Sequence, residues 1–137
     1  AMLIRSKIIE EVGKLCDDYF ATCEDIDFCF EVKKRGHRIF YEADATVWHI
    51  ESSSSGGSDA PQYVYYQTRN YFLLHNRWAE SFFQLLVSHA YYFSYASKRS
   101  FLFLLNGNLK AVFGILLGIK DVALGNFGRQ EYRVLKK

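Results

Sequence analysis

The chain contains one proline, Pro61, and the residue pattern changes character across it. Proline suits the first turn of a helix, where its missing amide would have no partner anyway. A long helix rich in Tyr and Phe is therefore expected from Pro61 to about Trp78. Two more helical stretches follow at about 80–97 and 101–123, the last ended by Gly125. Before Pro61 the pattern is shorter and more mixed. Ala1-Met2-Leu3-Ile4-Arg5 reads as a short buried strand, Ser6 as an N-cap, and Ile8, Ile9 and Val12 as one helical face stopped by Gly13. Residues 14–23 read as a loop, and a second helix is expected from about Glu24 to Arg35, stopped by Gly36, with Ile26, Cys29 and Phe30 on one face. Strands are expected at His37–Tyr41 and Thr46–His49, and Ser52–Gly57 has the composition of a flexible loop.

Charge follows the same division. Residues 1–60 hold seven Lys/Arg against twelve Asp/Glu, and residues 61–137 hold ten against three. An acidic first part and a basic, aromatic second part suggest two roles, the second favouring anionic lipid or phosphate-bearing ligands. Half of the residues are hydrophobic and 18 % are aromatic, so much apolar surface must enter a core, a partner or a membrane face. Neither late stretch reads as a membrane span, because Gln84, Ser88 and His89 interrupt the first and Asn106, Asn108 and Lys110 the second. Helices lying in the membrane interface fit, with Lys98, Arg99, Lys110 and Lys120 reaching headgroups. Packing on the rest of a larger protein is the other reading. The aromatics of the basic half sit at helix-core spacing beside Leu and Val, which argues for packing over stacking on nucleic acid. Cys16, Cys23 and Cys29 lack a Cys-x-x-Cys pair and read as reduced core thiols in a cytosolic setting. The opening Ala1-Met2 run is strand-like rather than a charged leader, as expected of a piece of a longer polypeptide.

Glu24, Asp25 and Asp27 crowd three carboxylates into the expected start of the second helix. The helix dipole favours acids there by about 0.3–1 kcal/mol each, which is explanation enough for a structural role. Like charges this close also repel, and a carboxylate so placed in a cleft is suited to general-base work. His49 after Val47-Trp48 reads as a structural histidine or a metal ligand, and Trp48 as core or as a sugar platform. The Ser52–Gly57 loop reads as a linker or as a cover over phosphates. Arg69 reads as a solvated helix-face residue or as a phosphate contact.

Several motifs in order carry a resemblance. They are Met2-Leu3-Ile4-Arg5-Ser6, Ile9-Glu10-Glu11-Val12-Gly13, Asp17-Asp18-Tyr19-Phe20, Glu24-Asp25-Ile26-Asp27-Phe28-Cys29, Lys34-Arg35-Gly36-His37-Arg38-Ile39 and Val47-Trp48-His49. Over about residues 1–75 the chain resembles the second half of the GT-A domain of family 2 glycosyltransferases, in particular the rhamnosyl- and galactofuranosyl-transferase-like members. The resemblance implies an α/β fold: a partial, Rossmann-like GT-A mixed sheet over 1–60, then C-terminal α-helices over 61–137. It implies Asp25 as the base of an inverting transfer with Glu24 beside it, Asp27, Trp48, Arg69 and Asn70 as substrate contacts, and His49 as ligand to Mn²⁺ or Mg²⁺. Arg69-Asn70 matches the family's Tyr-x-x-x-Arg-Asn stretch.

A nucleotide-sugar donor, a lipid-linked or polysaccharide acceptor, and a peripheral place on the cytoplasmic face of the cell membrane, in cell-envelope polysaccharide synthesis, complete the expectation. Upstream of Glu24 the sequence holds no Asp-x-Asp to serve as the family's donor-side motif, and no glycine-rich phosphate loop precedes a helix, so the chain by itself is expected to be inactive. An incomplete sheet would leave an edge and an apolar helix face open to self-association. The alternative is a membrane-associated interaction module without catalysis.

Overall fold

The computed structural model describes residues 2–48 and 56–135, apart from the side chain of Val134. Five helices run in order: α1 Ser6–Val12, α2 Glu24–Lys34, α3 Pro61–Trp78, α4 Phe82–Leu105 and α5 Leu109–Leu124, followed by a 3-10 turn at Arg133–Leu135.

No strand forms among the described residues, which corrects the expected α/β mixed sheet. Residues 2–5, 37–41 and 46–48 carry no regular structure, and His49 lies outside the described residues. The physical reason is that alternation prepares one strand, whereas a ladder needs a neighbour to take its amides and carbonyls. These segments have none, and apart from half-buried Ile4 their large apolar side chains stay in solvent: Leu3 is 102 % exposed and Trp48 89 %.

Three helices form the main packed unit. The short connection at 79–81 turns α4 back antiparallel to α3, so Phe72 meets His89 and Phe93 while Tyr71 stacks on Tyr92. Val64, Ala96, Phe103, Ala111 and Ile115 make the core between α3, α4 and α5. On α5, Ala111, Gly114, Gly118 and Asp121 are buried at alternating spacings of three and four, one face of a helix. The glycines let α5 lie against the α3 backbone: a Cβ on Gly114 would stand 2.6 Å from the Pro61 carbonyl oxygen, and one on Gly118 2.9 Å from that of Tyr65.

The break between the last two helices falls later than the sequence suggests. Lys98-Arg99-Ser100 continues α4, and the turn comes at Asn106-Gly107-Asn108. Gly107 takes φ 69°, and the Asn108 side chain accepts from the Ala111 amide at 3.2 Å to cap α5. No helix among the described residues is long and apolar enough to cross a membrane.

Candidate functional site

Helix α2 begins on Glu24-Asp25-Ile26-Asp27, as its acids and the helix dipole favour. Its N-cap, Cys23, adopts the left-handed conformation at φ 68°, and Phe20 and Thr22 do the same at 59° and 67°. Non-glycine residues rarely take that region, and each costs on the order of 1 kcal/mol or more unless the surroundings hold it.

The surroundings come from α3. Arg69 and Asn70 are fully buried and spend their donors on the loop's carbonyls. Arg69 Nη2 donates to the carbonyls of Asp18 and Tyr19, each at 2.9 Å, while Nη1 donates to Gly128 at 2.7 Å and Nε to the Asn70 side chain at 2.9 Å. Asn70 Nδ2 donates to the carbonyls of Tyr19 and Thr22 at 2.9 Å each, and to that of Ala21. The guanidinium also lies over the rings of Tyr65 and Tyr66, at 5.5 and 5.0 Å. One Arg-Asn pair thus shapes the loop that delivers the chain into α2.

Asp27 is buried and belongs to the same scaffold. Its Oδ1 accepts from the Tyr19 hydroxyl at 3.0 Å and from Trp78 Nε1 at 2.7 Å, with Arg77 Nε at 3.4 Å. Burial, and after it the neighbouring Asp27 carboxylate, pushes the Tyr19 phenol well above its usual range, so Tyr19 remains a donor. Burial likewise pushes the Cys23 thiol up to about 12.

Asp27, Arg69 and Asn70, expected as substrate contacts, direct the polar atoms described above at the chain's own groups. Trp48 stands in solvent on an extended segment and is not in the core.

Asp25 is placed differently. It is exposed at the helix N-terminus, with one oxygen accepting from the neighbouring Ile26 amide at 2.8 Å. Glu24 beside it is half-buried, and its Oε2 has no hydrogen-bond partner. One turn further along α2, on the face Asp25 shares, Cys29 lines an open groove with Lys33, His37, Arg38, Ile39 and Phe40. The groove carries two cations, Lys33 in the last turn of α2 and Arg38 beyond it, at the end of the helix away from its acidic start. Among the described residues no group of three His, Cys, Asp or Glu could hold a metal ion, and His49 lies outside them, so the described residues assemble no metal site.

Sequence reasoning missed the contribution of the last residues. Asp121 is buried, and its Oδ2 accepts from the hydroxyls of Tyr65 at 2.6 Å and Tyr132 at 2.7 Å. Burial first, and then the bond to Asp121, raises both phenols, Tyr132 to about 12. Tyr66 both donates to and accepts from the backbone of Gln130 at 2.9 Å, and the Gly128 amide donates to the Asp18 carbonyl at 2.7 Å. The C-terminal segment is thereby tied to the same loop as Arg69. The one legible signal was Asp121 itself, the single acid in a helix whose other charged residues are lysines.

Family models, curated proteins and solved structures give no significant match to the chain.

Proposed function

We propose that the chain is the acceptor-side part of an inverting glycosyltransferase that moves a sugar from a nucleotide-sugar donor to a lipid-linked or polysaccharide acceptor. The observation that supports this is the contrast within one acidic run. Asp27 is consumed by the scaffold, whereas Asp25 is held in solvent directly after a strained loop that two buried α3 side chains maintain. Strain upheld in this way accompanies functional positions.

In the proposed step the Asp25 carboxylate takes the proton of the acceptor hydroxyl. The acceptor oxygen forms the new bond to the anomeric carbon as the bond to the diphosphate breaks, and the nucleoside diphosphate leaves with the electron pair. Attack from the opposite side inverts the anomeric centre. Glu24 would support Asp25. The groove lined by Lys33 and Arg38 would suit an anionic part of the acceptor. A divalent metal on the donor side, with His49 among its ligands, belongs to the same proposal. So does a peripheral position on the cytoplasmic face of a membrane.

Donor-binding residues would come from polypeptide other than these 137 residues. With UDP- and dTDP-sugars and Mn²⁺ the chain alone is expected to show neither sugar transfer nor nucleotide release. A polypeptide that also carries the donor-binding half should transfer sugar, and Asp25→Asn should cut its rate by about 10²–10⁴-fold while donor binding persists. Full activity of Asp25→Asn would remove Asp25 from the role of base. The second reading, an interaction module without catalysis, is favoured by the exposed apolar side of α4 and predicts no transfer from any longer form.

A further inference from the structure

Helix α4 is apolar on more sides than its packing uses. Its inward face, through Tyr92, Ala96 and Phe103, meets α3 and α5. Its outward side carries Phe82 at 80 % exposure, Phe83 at 73 % and Phe101 at 60 %, with Leu86 between them. Over 24 residues the helix is ~36 Å long, and α5 adds exposed Phe113 and Leu116. Large aromatic and aliphatic side chains this exposed along one helix mark a surface suited to a medium other than water, with Gln84, Ser94, Ser97 and Lys98 as the polar positions among them.

The charges on these helices select the medium. The exposed cations are Lys98 on α4, and Lys110 and Lys120 on α5. The one acid in either helix is Asp121, which is buried and engaged with Tyr65 and Tyr132. A protein partner that covered this face would have to bring negative charge to Lys98 and Lys120, whereas an anionic bilayer supplies it everywhere along the surface. Exposed Tyr91 and Tyr95, with ring bodies and polar tips, suit the headgroup level, where aromatic residues with one wet end collect. Spanning is not available to any described helix. Lying in the interface is.

We propose that the outward faces of α4 and α5 form a docking surface for an anionic lipid bilayer, with the aromatic side chains in the acyl boundary and the lysines at the headgroups. This surface rests on, and gives residues to, the peripheral membrane position already proposed; it stands apart from the catalytic step, since it uses no residue of the acidic run.

The test is flotation of the full chain with phosphatidylcholine vesicles and with vesicles containing about one third phosphatidylglycerol, at low and at high salt. The chain should float with the anionic vesicles, and binding should fall several-fold at high salt and on neutral lipid. The triple substitution Phe82→Ser, Phe83→Ser and Phe101→Ser should lower vesicle affinity by about a hundredfold or more. Lys98→Glu with Lys120→Glu should lower it by about tenfold or more. All five positions are exposed, so circular dichroism should show unchanged helicity. Equal binding to neutral and anionic vesicles, no binding to either, or unaltered binding by the folded triple variant would overturn the proposal. So would a stable dimer in which the same side chains are protected and vesicles do not compete.

Discussion

Arg69→Lys keeps the charge at the centre of the scaffold and removes the fork. The guanidinium makes bonds of 2.7 Å to Gly128, 2.9 Å to Asp18 and Tyr19, and 2.9 Å to the Asn70 side chain. An ammonium is a single point and cannot occupy the positions of Nε, Nη1 and Nη2 together. Two of the deprived carbonyls keep a second donor: Asp18 retains the Gly128 amide and Tyr19 retains Asn70. The cost is therefore below the sum of four charge-assisted bonds. Two such bonds lost at about 1.5 kcal/mol each, with the half-buried Gly128 carbonyl left without this donor, come to about 3 kcal/mol.

A destabilisation of that size is visible in urea. With an m-value of about 2 kcal/mol/M, the midpoint should fall by about 1.5 M at unchanged m. The fluorescence of Trp78 is the natural signal, since its indole nitrogen is bonded to buried Asp27 at 2.7 Å, and far-ultraviolet circular dichroism should report the same midpoint. A midpoint within about 0.3 M of the parent protein would refute the reasoning. It would mean that the left-handed residues Phe20, Thr22 and Cys23 hold their conformation without the fork.

Gly114→Ala should cost about 1–3 kcal/mol in the same urea assay, because its Cβ would stand 2.6 Å from a backbone oxygen of α3; a neutral result would show that α5 can shift freely. At about pH 8 an aqueous disulfide reagent should modify Cys16 quickly and Cys23 slowly, since Cys23 is buried and its thiol is pushed up to about 12. Asn70→Ala, which frees the loop carbonyls, should expose Cys23 to the reagent, and peptide mapping that finds Cys23 still protected would count against the clamp. Burial, with the charge of His89 adding to it, lowers the pKa of His75 below its usual value. The unfolded chain therefore takes up the proton first as pH falls through about 6.5, so His75 contributes stability above that pH and loses it toward the lower folded pKa. The melting temperature should drop between about pH 7.5 and 5.5, and His75→Gln should narrow the drop; an unchanged drop would assign it to other groups.

Helices α2 and α3 were legible residue by residue. Pro61 opens α3 and Trp78 closes it, and α2 starts on Glu24 and ends one residue before the expected Arg35. Their signals are local: a proline at N1, acids in a first turn, a glycine after the last turn. The junction of α4 and α5 was harder because Lys98-Arg99-Ser100 looks like a break and yet continues a helix, while Asn106-Gly107-Asn108 supplies the actual cap.

The acidic run could be found by reading the chain, but its division of labour could not. Asp25 and Asp27 stand two residues apart with the same side chain, and only the folded chain sends one to solvent and the other to Tyr19 and Trp78. The same holds for Arg69, whose carbonyl partners lie 50 to 59 residues away along the chain. Strand formation failed for the same reason: Ile39, Phe40 and Tyr41 have strand-like composition and no neighbouring ladder among the described residues. Helices draw their hydrogen bonds from four residues away, so a sequence can specify them by itself. A ladder, a buried charge and a held loop take their partners from distant parts of the chain, and for these tertiary packing decides.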